Sequence, residues 1–275
     1  MHKPKVSVIM GIYNCAPYLQ EALDSLYAQT FQDFEIILCD DGSTDGTYNI
    51  AFENFKDHPN IVLLRNEKNM GLNVTLNKCL AVAKGEYIAR MDGDDICSSD
   101  RFEKQLNFLE EHPDLAFVSC PMYMFDENGI WGQTHSIPFP TKDDVLAHSP
   151  CFTHAAVIMR ADVYREVGGY TVSDYLLRVE DCHLWFKLYA AGYKGGNLQE
   201  PLYGMRDDRN ATFRRNWKSR RNAIYVMFCA YSMFHKSWYY YPRLFVKSTI
   251  EMAKFTMPLT MYEYFHRKSK CISQK

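Results

Sequence analysis

The stretch that decides the fold is GEYIARMDGDDI, residues 85–96. Its first half contains the strand-like run YIARM, and its second half crowds three carboxylates, Asp92, Asp94 and Asp95, into four positions. Carboxylates this close repel one another, and each resists ionisation beside the others. An apolar strand that ends in such a cluster indicates that something positively charged binds at its tip.

The same pattern of a strand followed by a polar turn occurs upstream. Strand-like runs cover residues 5–14, 34–43, 60–66 and 87–91, and segments with helical periodicity cover 16–29, 44–55 and 71–84. This alternation predicts an α/β fold with a Rossmann-like, mainly parallel sheet and helices on both faces. Ligands of such sheets bind beyond the carboxyl ends of the strands. We therefore expect the polar clusters at 13–14, 40–43 and 92–95 to converge on one crevice.

The D-x-D spacing of Asp92 and Asp94 is typical of a site for a hard divalent cation, Mn²⁺ or Mg²⁺, which takes oxygen ligands from carboxylates, water and substrate phosphates. An EF-hand is excluded, because Ile96 and Cys97 occupy its third ligand and glycine positions. The sequence also lacks a P-loop and a G-x-G-x-x-G fingerprint. A solvated acidic turn is the alternative for D-x-D alone, and the second cluster at Asp40 favours a binding site.

Several segments appear together in order: VSVIMGIYN, DDGSTDGT, GLNVTLNKCLAVAKGEYIARMDGDDI, HAAVIMR and VEDCHLWFKL. As a set, covering about residues 4–205, they resemble the family 2 glycosyltransferases, which are inverting enzymes with the GT-A fold. The following stretch, LYGMRDDRNATFRRN, is similar to a subgroup of bacterial exopolysaccharide and capsule glycosyltransferases with an M-R-x-D-x-N-A signature.

The resemblance implies a nucleotide-sugar donor, which we expect to be a UDP-sugar, and assigns roles to individual positions. Asp94 is expected to hold the metal ion beneath the diphosphate. Asp181, in the Glu180-Asp181 pair at the start of a helix, is expected to be the general base, with Glu180 the next candidate. The residues expected to bind the nucleotide-sugar are Gly11 and Tyr13 at the base, Asp41 as acceptor for the base N–H, Asp92 near the ribose and sugar, His154 beneath the sugar, and Arg206 and Arg209 at the diphosphate.

The charge distribution predicts a second unit. The formal net charge is −2, but residues 206–275 carry 15 Lys and Arg against 4 Asp and Glu, a local net of +11, which leaves −13 for the remainder. We expect a catalytic domain over residues 1–205 and a basic, aromatic, helical extension over 206–275 that contacts an anionic membrane surface. Nine cysteines without a C-x-x-C pair, and an N-terminus without a signal-peptide pattern, predict a cytoplasmic location at the inner face of the membrane.

The predicted activity is sugar transfer to a hydroxyl of a lipid-linked or glycan acceptor in cell-surface polysaccharide synthesis, with no nucleic-acid partner. A sugar-nucleotidyltransferase would share the Rossmann-like layout but needs a G-x-G-T-R-L type loop, and GIYNCAPYL differs from it. The remaining alternative is a non-catalytic nucleotide-sugar-binding or regulatory protein on the same scaffold. The four aspartates 41, 92, 94 and 181 favour the enzyme.

Overall fold

The computed structural model describes residues 3–56, 58–147, 151–207 and 217–235, and beyond them only residues 242, 245, 246 and 249. The strands in these ranges are β1 (Val6–Ile12), β2 (Phe34–Asp40), β3 (Ile61–Arg65), β4 (Tyr87–Arg90), β5 (Ile96–Cys97), β6 (Phe117–Ser119), β7 (Met122–Asp126), β8 (Gly129–Gln133), β9 (Ile158–Arg160), β10 (Gly195–Asn197) and β11 (Tyr203–Arg206). The α-helices are α1 (Leu19–Tyr27), α2 (Thr47–Phe55), α3 (Leu72–Val82), α4 (Arg101–Glu111), α5 (Lys142–Ala147), α6 (Ala161–Glu166), α7 (Glu180–Ala190) and α8 (Trp217–Met233).

The main sheet has seven strands in the order β10-β6-β9-β4-β1-β2-β3. Strands β4, β1, β2 and β3 pair in parallel, whereas β9 runs antiparallel between β4 and β6. β2 is buried along its whole length and β1 at all but one position, which explains their nearly continuous apolar sequences. The predicted mainly parallel sheet is confirmed, and the carboxyl ends of β1, β2 and β4 lie side by side.

Two apolar cores cover the two faces of this sheet, as the predicted helices on both faces require. One core packs α1 and α4 against β1 through side chains such as Leu23 and Phe102, both fully buried. The other contains α3, α6, α7 and α8, and its centre is Trp185, stacked on Phe117 with ring centroids 5.1 Å apart. Val226 of α8 belongs to this second core.

A second sheet, β5-β11-β7-β8, has four strands and was not expected from the sequence. Its strands β7 and β8 form an antiparallel hairpin followed by α5, whereas β5 and β11 join it from distant parts of the chain. The segment HAAVIMR, residues 154–160, is a strand only over its last three residues, because His154–Ala156 is a 3-10 turn and β9 begins at Ile158.

The expected boundary between residues 205 and 206 falls inside β11, because this strand pairs with β7 as far as Arg206. Within the predicted extension, helix α8 packs on α7. Beyond Asp207, residues 217–235 are the only longer stretch of the extension that the structure describes. Arg209 and most of the basic tail lie outside the described residues. Within the described ranges, no helix is long and apolar enough to cross a bilayer.

Candidate active site

The loops that follow β1 and β2 are joined by side-chain hydrogen bonds. Asn14, which has a positive φ of 50°, accepts a hydrogen bond from the backbone N–H of Thr44 at 2.9 Å through its side-chain oxygen. Its own N–H donates to Ser43 Oγ at 3.0 Å. Tyr13 precedes this junction and is 46% exposed, so its ring is accessible to a ligand. The predicted base contact of Tyr13 stays a prediction that this geometry permits.

Asp41 organises the loop after β3. Its carboxylate accepts the Asn66 side-chain N–H at 2.8 Å and the backbone N–H groups of Met70 and Gly71 at 2.8 and 2.9 Å. These bonds give Asp41 a structural role that the sequence did not indicate, in addition to its predicted contact with a nucleotide base. Gly11 lies within β1, where an added Cβ would stand 3.0 Å from Leu72 Cδ1. Close packing of α3 therefore accounts for this glycine, and its predicted ligand contact stays a prediction.

The tip of β4 carries the three predicted carboxylates in different environments. Asp92 accepts a hydrogen bond from Arg90 Nη2 at 2.6 Å, and its side chain is 30% exposed. Asp95 is buried and accepts hydrogen bonds from Tyr203 Oη and the backbone N–H of Arg206, both at 2.8 Å. Burial and the neighbouring carboxylates raise the pKa of Asp95 well above its ordinary value. Asp95 is thus a structural residue of the loop.

Asp94 is the carboxylate that fits a metal ion best. It is exposed, and within the described ranges its carboxylate makes no hydrogen bond or ion pair to another residue. Partial removal from water and the charge of Asp92 raise the pKa of the Asp94 carboxyl. A divalent cation would relieve both effects. Among the described residues, no three His, Cys, Asp or Glu side chains are grouped so that they could hold a metal ion by themselves. Substrate phosphates and water would therefore complete the coordination.

The Glu180-Asp181 pair begins α7, as predicted, and both side chains are partly buried. Burial, followed by the charge of Asp181, raises the pKa of Glu180 to about 7. Burial also raises the pKa of Asp181, which a hydrogen bond from the backbone N–H of Cys182 at 2.7 Å partly offsets. A carboxylate with a raised pKa is a better proton acceptor at neutral pH than an ordinary aspartate.

His154 lies in the 3-10 turn before β9, near the other site residues. Its Nε2 is 2.8 Å from Tyr170 Oη, and its ring meets Trp185 edge to face at 5.8 Å. Burial and the charge of Arg90 hold the pKa of His154 well below its ordinary value, so the imidazole is neutral at pH 7. These contacts give His154 a packing role, and its predicted place beneath the sugar stays a prediction.

Arg206 is the last residue of β11, and its side chain contacts the loop that follows β4 and contains Asp92 and Asp94. Its Nε donates to the backbone carbonyl of Asp94 at 3.0 Å, and its Nη2 pairs with Glu21. The guanidinium carbon lies 4.5 Å from the ring centroids of both Tyr18 and Phe125. Arg206 therefore lies against the backbone of the candidate metal residue, consistent with its predicted place near a diphosphate.

Two residues of the site were missed in the sequence. Arg90 is the only charged residue in the apolar run YIARM, and this isolated charge was the signal that could have identified it. Tyr203 donates to Asp95 and accepts a hydrogen bond from the backbone N–H of Asp92 at 3.2 Å. Nothing in the local sequence pairs Tyr203 with a loop more than 100 residues upstream.

The mainly parallel sheet with helices on both faces and the carboxylate loop beyond β4 are the features expected of the GT-A fold. The family model for glycosyl transferase family 2 matches residues 7–168, and the chain belongs to this family.

Relatives of the chain carry glycosyltransferase names. EpsE of Bacillus subtilis, named as a glycosyltransferase, is 43% identical over 227 residues, which cover 81% of each chain. The UDP-Gal:alpha-D-GlcNAc-diphosphoundecaprenol beta-1,3-galactosyltransferase of Escherichia coli is 30% identical over 271 residues, 96% of each chain. The identity thus extends well beyond the segment that the family model matches.

Solved structures share the fold. S. aureus TarS in complex with UDP-GlcNAc superposes with a TM-score of 0.67 at 22% identity, over 85% of this chain and 67% of the TarS chain. The mannosyltransferase PcManGT from Pyrobaculum calidifontis, in complex with GDP-Man and Mn²⁺, gives a TM-score of 0.62 at 18% identity, over 96% of this chain and 80% of the other. At these identities the likeness concerns the fold.

Proposed function

We propose that this glycosyltransferase is inverting and dependent on a divalent metal, and that it transfers a sugar from a UDP-sugar to a hydroxyl of a lipid-linked or glycan acceptor. The setting is the synthesis of a cell-surface polysaccharide. The name of the Escherichia coli relative, which contains both UDP-Gal and diphosphoundecaprenol, supports this donor and this acceptor class.

This proposal rests on two pairs of carboxylates that come from distant parts of the chain and are both influenced by one buried positive charge. Asp92 and Asp94 follow β4, Glu180 and Asp181 begin α7, and the buried Arg90 interacts electrostatically with all four carboxyls. One group lies on the side of the nucleotide loops after β1 and β2. In this proposal the other group belongs to the acceptor side.

The chemistry follows from this placement. Asp181 takes the proton of the acceptor hydroxyl as its oxygen attacks the anomeric carbon, and the bond from this carbon to the nucleoside diphosphate breaks. Attack from the side of α7 and departure toward the loop after β4 invert the configuration. A general base of this kind contributes about 10²- to 10⁴-fold in rate.

The metal ion is expected to be Mn²⁺ or Mg²⁺. Asp94 would hold it, with Asp92 nearby, and the bound ion would stabilise the charge of the leaving diphosphate as a Lewis acid. The exposed, unpaired carboxylate of Asp94 supports this assignment, as does Mn²⁺ in the complex of PcManGT, which has the same fold.

Contact with the membrane is proposed for the extension that begins after β11. Helix α8 contains three basic and no acidic residues, and Trp217, Tyr225 and Phe228 on it are 41 to 51% exposed. Tyr175, in the segment that leads to α7, packs 5.1 Å from Tyr225 and is also exposed. Of the three basic residues Lys218 is exposed, Arg221 is half-buried and Arg220 is buried, so exposed aromatic rings beside Lys218 are the part of α8 that suits contact with an anionic bilayer.

A ligand screen with a product assay tests the proposed function. Thermal unfolding is followed with UDP-Gal, UDP-GlcNAc, GDP-Man and no ligand, each with Mn²⁺, with Mg²⁺ and with chelator. A ligand that binds only the folded state stabilises it by about 2.7 kcal/mol at 100 times its Kd. We expect stabilisation by a UDP-sugar with metal, and release of UDP when an acceptor is added.

Two other outcomes of this screen separate the alternatives. Stabilisation without release of UDP against any acceptor, lipid-linked acceptors included, would favour the non-catalytic scaffold. Stabilisation that is the same with metal and with chelator would contradict the role of Asp94.

A further inference from the structure

The buried arginine Arg90 immediately precedes the carboxylate loop after β4 and pairs with Asp92. It is the last residue of β4 and only 4% exposed. Its backbone N–H donates to the carbonyl of Val157 at 2.9 Å, and its carbonyl accepts a hydrogen bond from Arg101 Nη2 at 3.0 Å. The guanidinium therefore extends from a fixed point in the sheet rather than from a mobile loop.

The side chain of Arg90 acts on the site in two ways. Its Nη2 donates to Asp92 Oδ1 at 2.6 Å, a short charge-assisted hydrogen bond that fixes the direction of this carboxylate. Its charge also lowers the pKa of Glu180 and Asp181, against the larger opposite effect of burial. Its buried Nε–H has no hydrogen-bond partner among the residues that the structure describes.

We propose that Arg90 is a positioning residue for sugar transfer: by holding Asp92 it sets the geometry of the donor side. This inference rests on the proposed function, and it extends that function to a residue that makes no predicted contact with the donor. It predicts that changes at Arg90 act on nucleotide binding through Asp92.

The competing explanation is that Arg90 only stabilises the fold, and the chain offers a matched control for it. Arg160 lies on β9, the neighbouring strand, and is also partly buried. All of its contacts are structural: Nε donates to the carbonyl of Leu115, Nη1 to Tyr87 Oη and Nη2 to the carbonyl of Leu109, at 3.0 to 3.1 Å. Arg160→Lys should therefore lower stability and leave the site intact.

A double-mutant cycle on the full chain tests the proposal. The variants are Arg90→Lys, Asp92→Ala, the two combined, and Arg160→Lys. The probe is UDP with Mn²⁺, its Kd is measured by calorimetry, and unfolding in urea reports stability separately. We expect Arg90→Lys and Asp92→Ala each to weaken UDP binding about tenfold to hundredfold, the usual effect of losing a hydrogen bond to a charged group. The double variant should bind no more weakly than Asp92→Ala, and Arg160→Lys should bind like the wild type.

The outcomes separate this inference from the proposed function. If the losses in Kd multiply in the double variant, Arg90 does not act through Asp92 and the inference is overturned. The inference is also overturned if the Arg90→Lys variant is less stable than the wild type but binds UDP with the same Kd. In both cases the wild type still binds UDP, so the proposed function survives. A wild type that binds no nucleotide probe with metal overturns both.

Discussion

Replacing the candidate base isolates proton transfer from donor binding. We expect Asp181→Asn to lower the rate of sugar transfer about 10²- to 10⁴-fold while the affinity for UDP stays unchanged. Asparagine keeps the shape of the side chain but cannot take a proton from the acceptor hydroxyl. Asp181 lies on α7, apart from the loops after β1, β2 and β4 that would hold the nucleotide.

The structure indicates that this variant folds. Asp181 Oδ1 accepts the backbone N–H of Cys182 at 2.7 Å, and the side-chain oxygen of asparagine can accept the same bond, so the start of α7 is preserved. The loss in rate corresponds to about 3–5 kcal/mol of activation free energy. The charge of Asp181 also helps to raise the pKa of Glu180 to about 7, so the variant should show a lower pKa at Glu180.

Release of UDP in the presence of a sugar acceptor gives the rate, and calorimetry with UDP and Mn²⁺ gives the affinity. Glu180→Gln is the matched control, and it should retain most of the wild-type rate. The wild-type rate should fall as the pH drops through the raised pKa of Asp181, because the protonated carboxyl accepts no proton. An Asp181→Asn enzyme within tenfold of the wild type, beside a Glu180→Gln enzyme that loses a hundredfold or more, would assign the base to Glu180.

Three further predictions concern the metal, the fold and the membrane. Asp94→Asn should bind UDP equally with Mn²⁺ and with chelator in a thermal-shift assay, and a variant that keeps the metal dependence of the wild type would contradict the assignment. Gly42→Ala should lower the free energy of unfolding in urea by about 1–3 kcal/mol, because Gly42 has φ +72° and an added Cβ would lie 2.5 Å from the backbone of Lys68; the exposed, positive-φ Gly129→Ala, with open space around it, is the milder control. The full chain should sediment with anionic vesicles and be released by high salt, and equal sedimentation with neutral vesicles would contradict an electrostatic contact.

The alternation of strands and helices was enough to predict the main sheet and the convergence of three strand ends. It works because a parallel strand buried on both faces must be almost wholly apolar and must break into polar residues where it leaves the core. The second sheet was missed because β5 has two residues and β11 pairs with strands far away in the chain. Such long-range pairings leave no local periodicity.

The site residues divide in the same way. Asp94 and Asp181 could be predicted from short sequence motifs, because a motif contains the residue types that the chemistry requires at a fixed spacing. Two other contacts could not be predicted in this way: the hydrogen bonds of Asp41 with the loop after β3, and the ion pair of Arg90 with Asp92. Both depend on the side-chain conformations that the folded backbone allows. Sequence spacing does not encode those conformations.

The antiparallel strand β9 has a consequence for how this protein can be recombined. Every carboxylate on the nucleotide side comes from residues 40–95, before β9, and the pair on α7 comes after it. In the proposed assignment, the donor-side carboxylates and the candidate base therefore lie on separate pieces of the gene, and Arg206 returns to the loop after β4 from beyond α7. A chimera that joins this chain to a relative within the segment before β9 would combine the donor carboxylates of one parent with the base of the other, and it should be active only where the residue at position 206 still fits that loop.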